Sequence, residues 1–105
     1  MKEITPAALL RWRSEGISHQ LVDIREEHEV AAGHIGGQHI PMGEVFSQLE
    51  ELRSDIPVVF HCRSGKRSAA LVYSLEQKFG MTNLLSLKGG ILAWSKEVDP
   101  GITIS

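Results

Sequence analysis

The stretch Pro57-Val58-Val59-Phe60-His61 constrains this chain more than any other, because it is apolar, rich in β-branched residues and shows no alternation between polar and apolar positions. A strand with that pattern has neither face in water, so it lies at the centre of a sheet and needs a layer of structure on each side. It runs directly into Cys62, a polar turn Arg63-Ser64-Gly65-Lys66-Arg67, and a helical run from Ser68 through Phe79 that Gly80 stops. The chain is 105 residues long, room for one domain spanning 1–105 and not for a second.

The rest of the sequence supplies the covering layers. Thr5 and Pro6 fit a helix cap and first helical position, with Leu9 and Trp12 as the apolar stripe and Gly16 as the end. Leu21-Val22-Asp23-Ile24 reads as a strand, and the acidic Glu26-Glu27-His28-Glu29 opens a helix that continues through Ala32 to Gly33. Gln38-His39-Ile40 before Pro41 reads as a short strand. Val45, Leu49 and Leu52, helped by Phe46, fall on one face of a third helix. Leu84-Leu85-Ser86-Leu87 is a last strand, and Ile91, Trp94 and Val98 mark a closing helix before Pro100 and Gly101 release the tail. Strands alternating with helices predict an α/β fold: a mostly parallel central sheet with helices on both faces and its ligand site at the carboxyl ends of the strands.

Charge narrows the partners. Eleven Lys and Arg against thirteen Asp and Glu give a net charge of −2 with His neutral, so no overall basic field holds nucleic acid or an anionic membrane. The start, Met1-Lys2-Glu3-Ile4-Thr5-Pro6, has no apolar core of signal-peptide length, and no later stretch is long and apolar enough for a span, which predicts a soluble, cytoplasmic protein.

Cys62 is the single cysteine, so an intramolecular disulfide is impossible and one chain cannot assemble a thiolate zinc site. It stands between the most buried strand and a helix N-terminus, where unpaired N–H groups and the helix dipole favour a thiolate, with Arg63, Lys66 and Arg67 as nearby cations. Gly65 is the residue best able to turn several N–H groups toward one centre. The loop therefore suits a charged sulfur or an oxyanion; the plainer alternative is a buried cysteine beside a solvated basic turn. The glycine-lysine pattern of nucleotide-binding loops is absent.

Two cysteine chemistries use a strand, loop and helix in this order. Protein tyrosine phosphatases look like Cys, five residues, then Arg, whereas Ser68 occupies that arginine position here and Arg67 comes one residue early. The run His61-Cys62-Arg63-Ser64-Gly65-Lys66-Arg67-Ser68 resembles the active-site loop of rhodanese-like sulfurtransferases, in which a shorter loop cradles a persulfide. The resemblance covers nearly the whole chain: Leu21-Val22-Asp23-Ile24-Arg25 with Glu29 and Gly33-His34-Ile35 is similar to the family's N-terminal signature, and Leu87-Lys88-Gly89-Gly90 with Trp94 to its C-terminal one. The segment Leu87 to Pro100 is especially similar to rhodanese domains fused behind adenylating enzymes of sulfur-carrier proteins. From Gly33 to Pro41 the chain is one residue shorter than the usual family spacing, which predicts a shifted or frayed third strand and carries no family contact over to Gln38 or His39.

The resemblance implies a rhodanese-like domain with Cys62 as the nucleophile and Arg63, Ser64, Gly65, Lys66, Arg67 and Ser68 as the substrate-binding loop. It implies a small anionic donor such as thiosulfate, with a protein persulfide donor or a sulfur-carrier acceptor as further partners, and no metal or organic cofactor. A cysteine-based phosphatase or arsenate reductase of related fold, and a non-catalytic interaction module, are the alternatives. Around the loop, Asp23 is expected to steady it by accepting from loop N–H groups, and Arg25 with Glu29 to form a surface ion pair. His61 points to the face opposite Cys62 and is a poor base for it. His28, His34 and His39 match no metal-ligand spacing. Trp12 and Trp94 read as core, and Gly89-Gly90 as a point of close packing beside the loop.

Overall fold

A computed structural model describes residues 2–105; Met1, where the reading of the amino-terminal stretch begins, lies outside the described residues. The strands are β1 (Glu3–Ile4), β2 (Gln20–Asp23), β3 (Gln38–His39), β4 (Val58–His61) and β5 (Leu84–Leu87), and the helices α1 (Pro6–Glu15), α2 (Glu27–Ala32), α3 (Lys66–Phe79) and α4 (Gly90–Glu97). The strands form one parallel sheet in the order β1-β5-β4-β2-β3. All four residues of β4 are buried, as its uninterrupted apolar pattern predicts, and it lies between β5 and β2 at the middle of the sheet.

Side-chain alternation along the strands divides the core into two layers. Val22, Ile24, Val58, Phe60 and Cys62 pack with Leu71, Val72 and Leu75 of α3 and with Val45, while Leu21, Val59 and Leu87 pack with Leu9 of α1 and with Ile91 and Trp94 of α4. The ends of α1 follow from its sequence: Thr5 Oγ1 accepts from Ala8 N at 3.1 Å, Pro6 is the first helical residue, and Gly16 closes the helix at φ 69°. Among the described residues no helix is long and apolar enough to cross a membrane.

Four local readings change. β1 is an added edge strand, only two residues long and too short for a periodic signal, that pairs with Ser86 and Leu87. The third helix is two 3-10 segments, Met42–Ser47 and Leu49–Glu51. Three residues per turn bring Met42 with Val45, and Leu49 with Leu52, onto the core, while Phe46 remains 41% exposed against Phe79. The helix after the Cys62 turn begins at Lys66, two residues before Ser68. The tail is not released after Pro100 and Gly101: Ile102 and Ile104 pack on the α1 and α4 layer, and the Thr103 carbonyl lies where a Cβ on Gly33 would be.

The short spacing before Pro41 leaves β3 only two residues long, in register with Val22 and Asp23. Gly36, at φ 88°, turns the chain, and Gly37 passes so close to β2 that a Cβ there would sit 2.8 Å from the Leu21 carbonyl oxygen.

On the α1 and α4 side of β4, His61 is fully buried, with Nε2 3.6 Å from Asp23 Oδ2. Burial, opposed by the Asp23 charge, pushes its pKa down from 6.5 to about 4, so the ring is neutral at neutral pH. The unfolded chain binds this proton more readily than the folded one, so folding stability should fall as pH drops from 6.5 toward about 4. Urea unfolding across that window is expected to show the loss, and His61→Leu to flatten it.

Candidate active site

Cys62 follows β4 directly and lies beneath the N-terminus of α3, with its side chain fully buried on the α3 face. Its sulfur is the acceptor for two main-chain donors, Gly65 N–H at 3.1 Å and Ser68 N–H at 3.4 Å. The fold of the turn explains both: Gly65 takes φ 97°, which curls the chain back so that its own N–H and the first turn of α3 aim at one point. The N–H groups of Lys66 and Arg67, also in that first turn, have no intrahelical acceptor by the geometry of any α-helix. Converging donors of this kind suit an anion on or just beyond the sulfur.

A second helix N-terminus holds the loop from behind. Ile91 N donates to the Cys62 carbonyl at 2.9 Å and Leu92 N to the Arg63 carbonyl at 3.0 Å. This contact requires glycine at the start of α4: Gly90 has φ 62°, and a Cβ there would lie 2.7 Å from the Cys62 carbonyl oxygen and closer still to that of Arg63. The close packing expected of Gly89-Gly90 is therefore a contact of Gly90 with the backbone of the sulfur loop.

The polar residues around the loop pair differently from the sequence expectation. Arg25 is fully buried rather than on the surface, and its guanidinium donates to Asp23 through Nε at 3.0 Å and Nη2 at 2.8 Å. It also donates to the Gly33 carbonyl at 2.9 Å and the Glu29 carbonyl at 3.4 Å. The Glu29 carboxylate instead takes a bidentate ion pair from Arg67, both contacts at 2.9 Å. The hydrogen bond from Arg67, against a smaller opposing effect of burial, pulls the Glu29 carboxyl from 4.5 down to about 2. Burial alone would raise the Asp23 carboxyl, and its bonds from Arg25 with the nearby His61 outweigh that and hold it lowered.

Asp23 thus accepts from Arg25 and not from loop N–H groups; it reaches the loop through Arg25, the α2 backbone, Glu29 and Arg67. Arg67 is turned to Glu29. Arg63 Nε donates to the Ser105 main-chain oxygen at 3.0 Å, and Ser64 and Lys66 are exposed at the loop surface. Ser68 is buried under the loop, its hydroxyl 3.6 Å from Cys62 Sγ, 3.2 Å from the Gly65 carbonyl and 2.7 Å from Ser86 Oγ. Ser86, on β5, is the site neighbour that sequence reasoning missed, because a lone serine in a strand carries no signal of its own.

The chain matches the Rhodanese-like domain family over residues 5–97. It is 35% identical over 104 residues to a thiosulfate sulfurtransferase, GlpE, of Pseudomonas entomophila, covering 97% of this chain and 91% of that one. Similarity of 28% over 99 residues extends to the adenylyltransferase and sulfurtransferase MOCS3 of Drosophila willistoni, covering 86% of this chain and 22% of that protein. The crystal structure of a rhodanese-like domain protein from Staphylococcus aureus superposes with a TM-score of 0.83 at 31% identity, over 100% of this chain and 99% of that one.

Gly90→Ala tests the support behind the loop. It adds a methyl where the loop carbonyls already stand and strains a positive φ, so unfolding stability should drop by about 1–3 kcal/mol and reaction of Cys62 with iodoacetamide should change with it. Gly43, with nothing within 4 Å of an added Cβ, is the control whose alanine variant should leave both near wild type.

Proposed function

The chain belongs to the rhodanese-like domain family, and from that membership we propose that it moves sulfane sulfur from thiosulfate or a persulfide donor to a thiophilic acceptor through a persulfide on Cys62. The observation that carries this reading is the pair of N–H donors, from Gly65 and Ser68, converging on Cys62 Sγ at the start of α3.

In the first half-reaction the Cys62 thiolate attacks the outer sulfur of thiosulfate. A bond forms between the two sulfurs, the bond from that outer sulfur to the sulfonate breaks, and sulfite leaves with the electron pair. The charge then rests on the outer persulfide sulfur, where the first-turn N–H groups and helix dipole stabilise it. In the second half-reaction an acceptor such as cyanide or a thiolate attacks that sulfur. The sulfur–sulfur bond breaks and the electron pair returns to Cys62, a double displacement through a covalent intermediate. Every step is a transfer between sulfur and a nucleophile, and none needs a metal or organic cofactor.

The surroundings favour sulfur over phosphoryl chemistry. A phosphatase must neutralise charge spread over three equatorial oxygens. Here the position of the phosphatase arginine is Ser68, a buried hydroxyl, and the guanidinium one residue before it, Arg67, is committed to Glu29. The site suits one added sulfur better than a tetrahedral oxyanion.

Cys62→Ser should retain the fold and lose transfer from thiosulfate to cyanide, since a serine hydroxyl is not ionised at neutral pH. Intact mass after exposure to thiosulfate or a persulfide donor should show one added sulfur on wild type and none on the variant. Enzyme-like aryl-phosphate hydrolysis through Cys62, with no sulfur loading from either donor, would overturn this reading.

The exposed cations give a separate expectation. Removing charge at Arg63 or Lys66 should raise KM for thiosulfate and spare a neutral donor. Arg67→Ala should lower the rate with both donors, because it leaves Glu29 unpaired and the loop unclamped. Steady-state kinetics with the two donor classes separates these outcomes.

A further inference from the structure

Ser86 lies on β5, eighteen residues beyond Ser68 in sequence, and its hydroxyl is fully buried against that of Ser68 at 2.7 Å. Among the described residues Ser68 Oγ is its hydrogen-bond partner. A buried hydroxyl that only accepted would leave its own proton unpaired in the core, so the Ser86 O–H donates to Ser68 Oγ. Ser68 then has its single proton free for one of two acceptors, the Gly65 carbonyl at 3.2 Å or Cys62 Sγ at 3.6 Å.

We propose that Ser86 is a positioning residue for the chemistry of Cys62: by filling an acceptor site on Ser68 Oγ it leaves the Ser68 proton to swing between the Gly65 carbonyl and the cysteine sulfur. When the sulfur carries a proton, the thiol donates to Ser68 Oγ and the Ser68 O–H stays on Gly65. When the sulfur is an anion, the Ser68 O–H turns to it and joins the N–H groups of Gly65 and Ser68 as a third donor. No bond to hydrogen breaks in the swing, and the Ser68 proton remains on its oxygen. The hydrogen bond from Ser86 polarises the Ser68 hydroxyl and strengthens it as a donor to the anion. The value of this to sulfur transfer rests on the proposed function, but the hydroxyl pair acts on any anionic state of Cys62.

The test is a double-mutant cycle with Ser86→Ala, Ser68→Ala and the combined variant, read by the rate of Cys62 alkylation with iodoacetamide at neutral pH and by the single-turnover rate of sulfur loading from thiosulfate. Ser86→Ala should slow alkylation about three- to tenfold in the wild-type background and leave it unchanged in the Ser68→Ala background. Ser86→Thr, which keeps the hydroxyl, should restore most of the rate. An equal slowing in both backgrounds would show that Ser86 acts through packing and not through Ser68, and a wild-type rate in Ser86→Ala would also overturn the proposal. Should Ser86→Ala unfold, the recovered rate of Ser86→Thr against a slowed Ser68→Ala decides the matter, since a lost rate in a folded Ser86→Thr contradicts it. Alkylation reads the hydroxyl pair by itself: slowed alkylation in Ser86→Ala with no sulfur loading in wild type would uphold the role of Ser86 and remove sulfur transfer.

Discussion

Two helix N-termini meet on one short turn, and the geometry of the site depends on that meeting. The first turn of α3 points its N–H groups at the sulfur of Cys62, and the first turn of α4 points its own at the carbonyls of Cys62 and Arg63. A loop leaving a buried strand has polar backbone groups that water does not reach, and each must find a partner. The α4 donors satisfy the carbonyls, so the chain can turn at Gly65 and direct the remaining N–H groups toward the side chain. Two glycines make the approach possible, Gly65 through its φ of 97° and Gly90 through the missing Cβ.

A chain of charges extends this support to β2 and α2. Asp23 and Arg25 are both buried, and such a pair stays folded only because its hydrogen bonds are nearly complete: the guanidinium reaches the Asp23 carboxylate and the carbonyls of Glu29 and Gly33. That anchors α2, and α2 in turn presents Glu29 to Arg67. The cost of burying ions is met by geometry that ties the first turn of α3, through Arg67, to α2. It also decides what the loop offers a substrate, since an arginine bound to Glu29 serves the shape of the loop before it serves an incoming anion.

Beneath the loop the buried hydroxyls of Ser68 and Ser86 lie beside a site otherwise built from backbone N–H groups. Their position on the α3 face, beside Phe60 and Cys62, follows from the register that sets Ser86 opposite Phe60 in the neighbouring strand. His61, one residue before the cysteine, falls on the other face and is kept neutral by burial, so the two adjacent residues of β4 and its loop serve different layers of the protein.

Much of this was legible in the sequence. The unbroken apolar run 57–61 placed β4 at the centre, alternating elements implied a parallel sheet, and Cys62 between a strand and a glycine turn marked the candidate site, because these signals are local and periodic. The misreadings came where contacts between distant segments outweigh local pattern. An i, i+4, i+7 spacing suggested an α-helix at 45–52, but the core accepted tighter 3-10 turns. Two residues of β1 gain their strand conformation only from β5. Arg25 and Glu29 have the spacing of a surface pair, yet each found a stronger partner, Asp23 in the core and Arg67 across the loop. Ser86 had no signal at all until β5 was set beside β4. The sequence by itself determined where the single cysteine stands and which layers cover it, since burial and backbone freedom are written residue by residue; the tertiary structure alone decided which charges pair and which hydroxyl lies under the sulfur, since those depend on distances between segments that sequence separation does not contain.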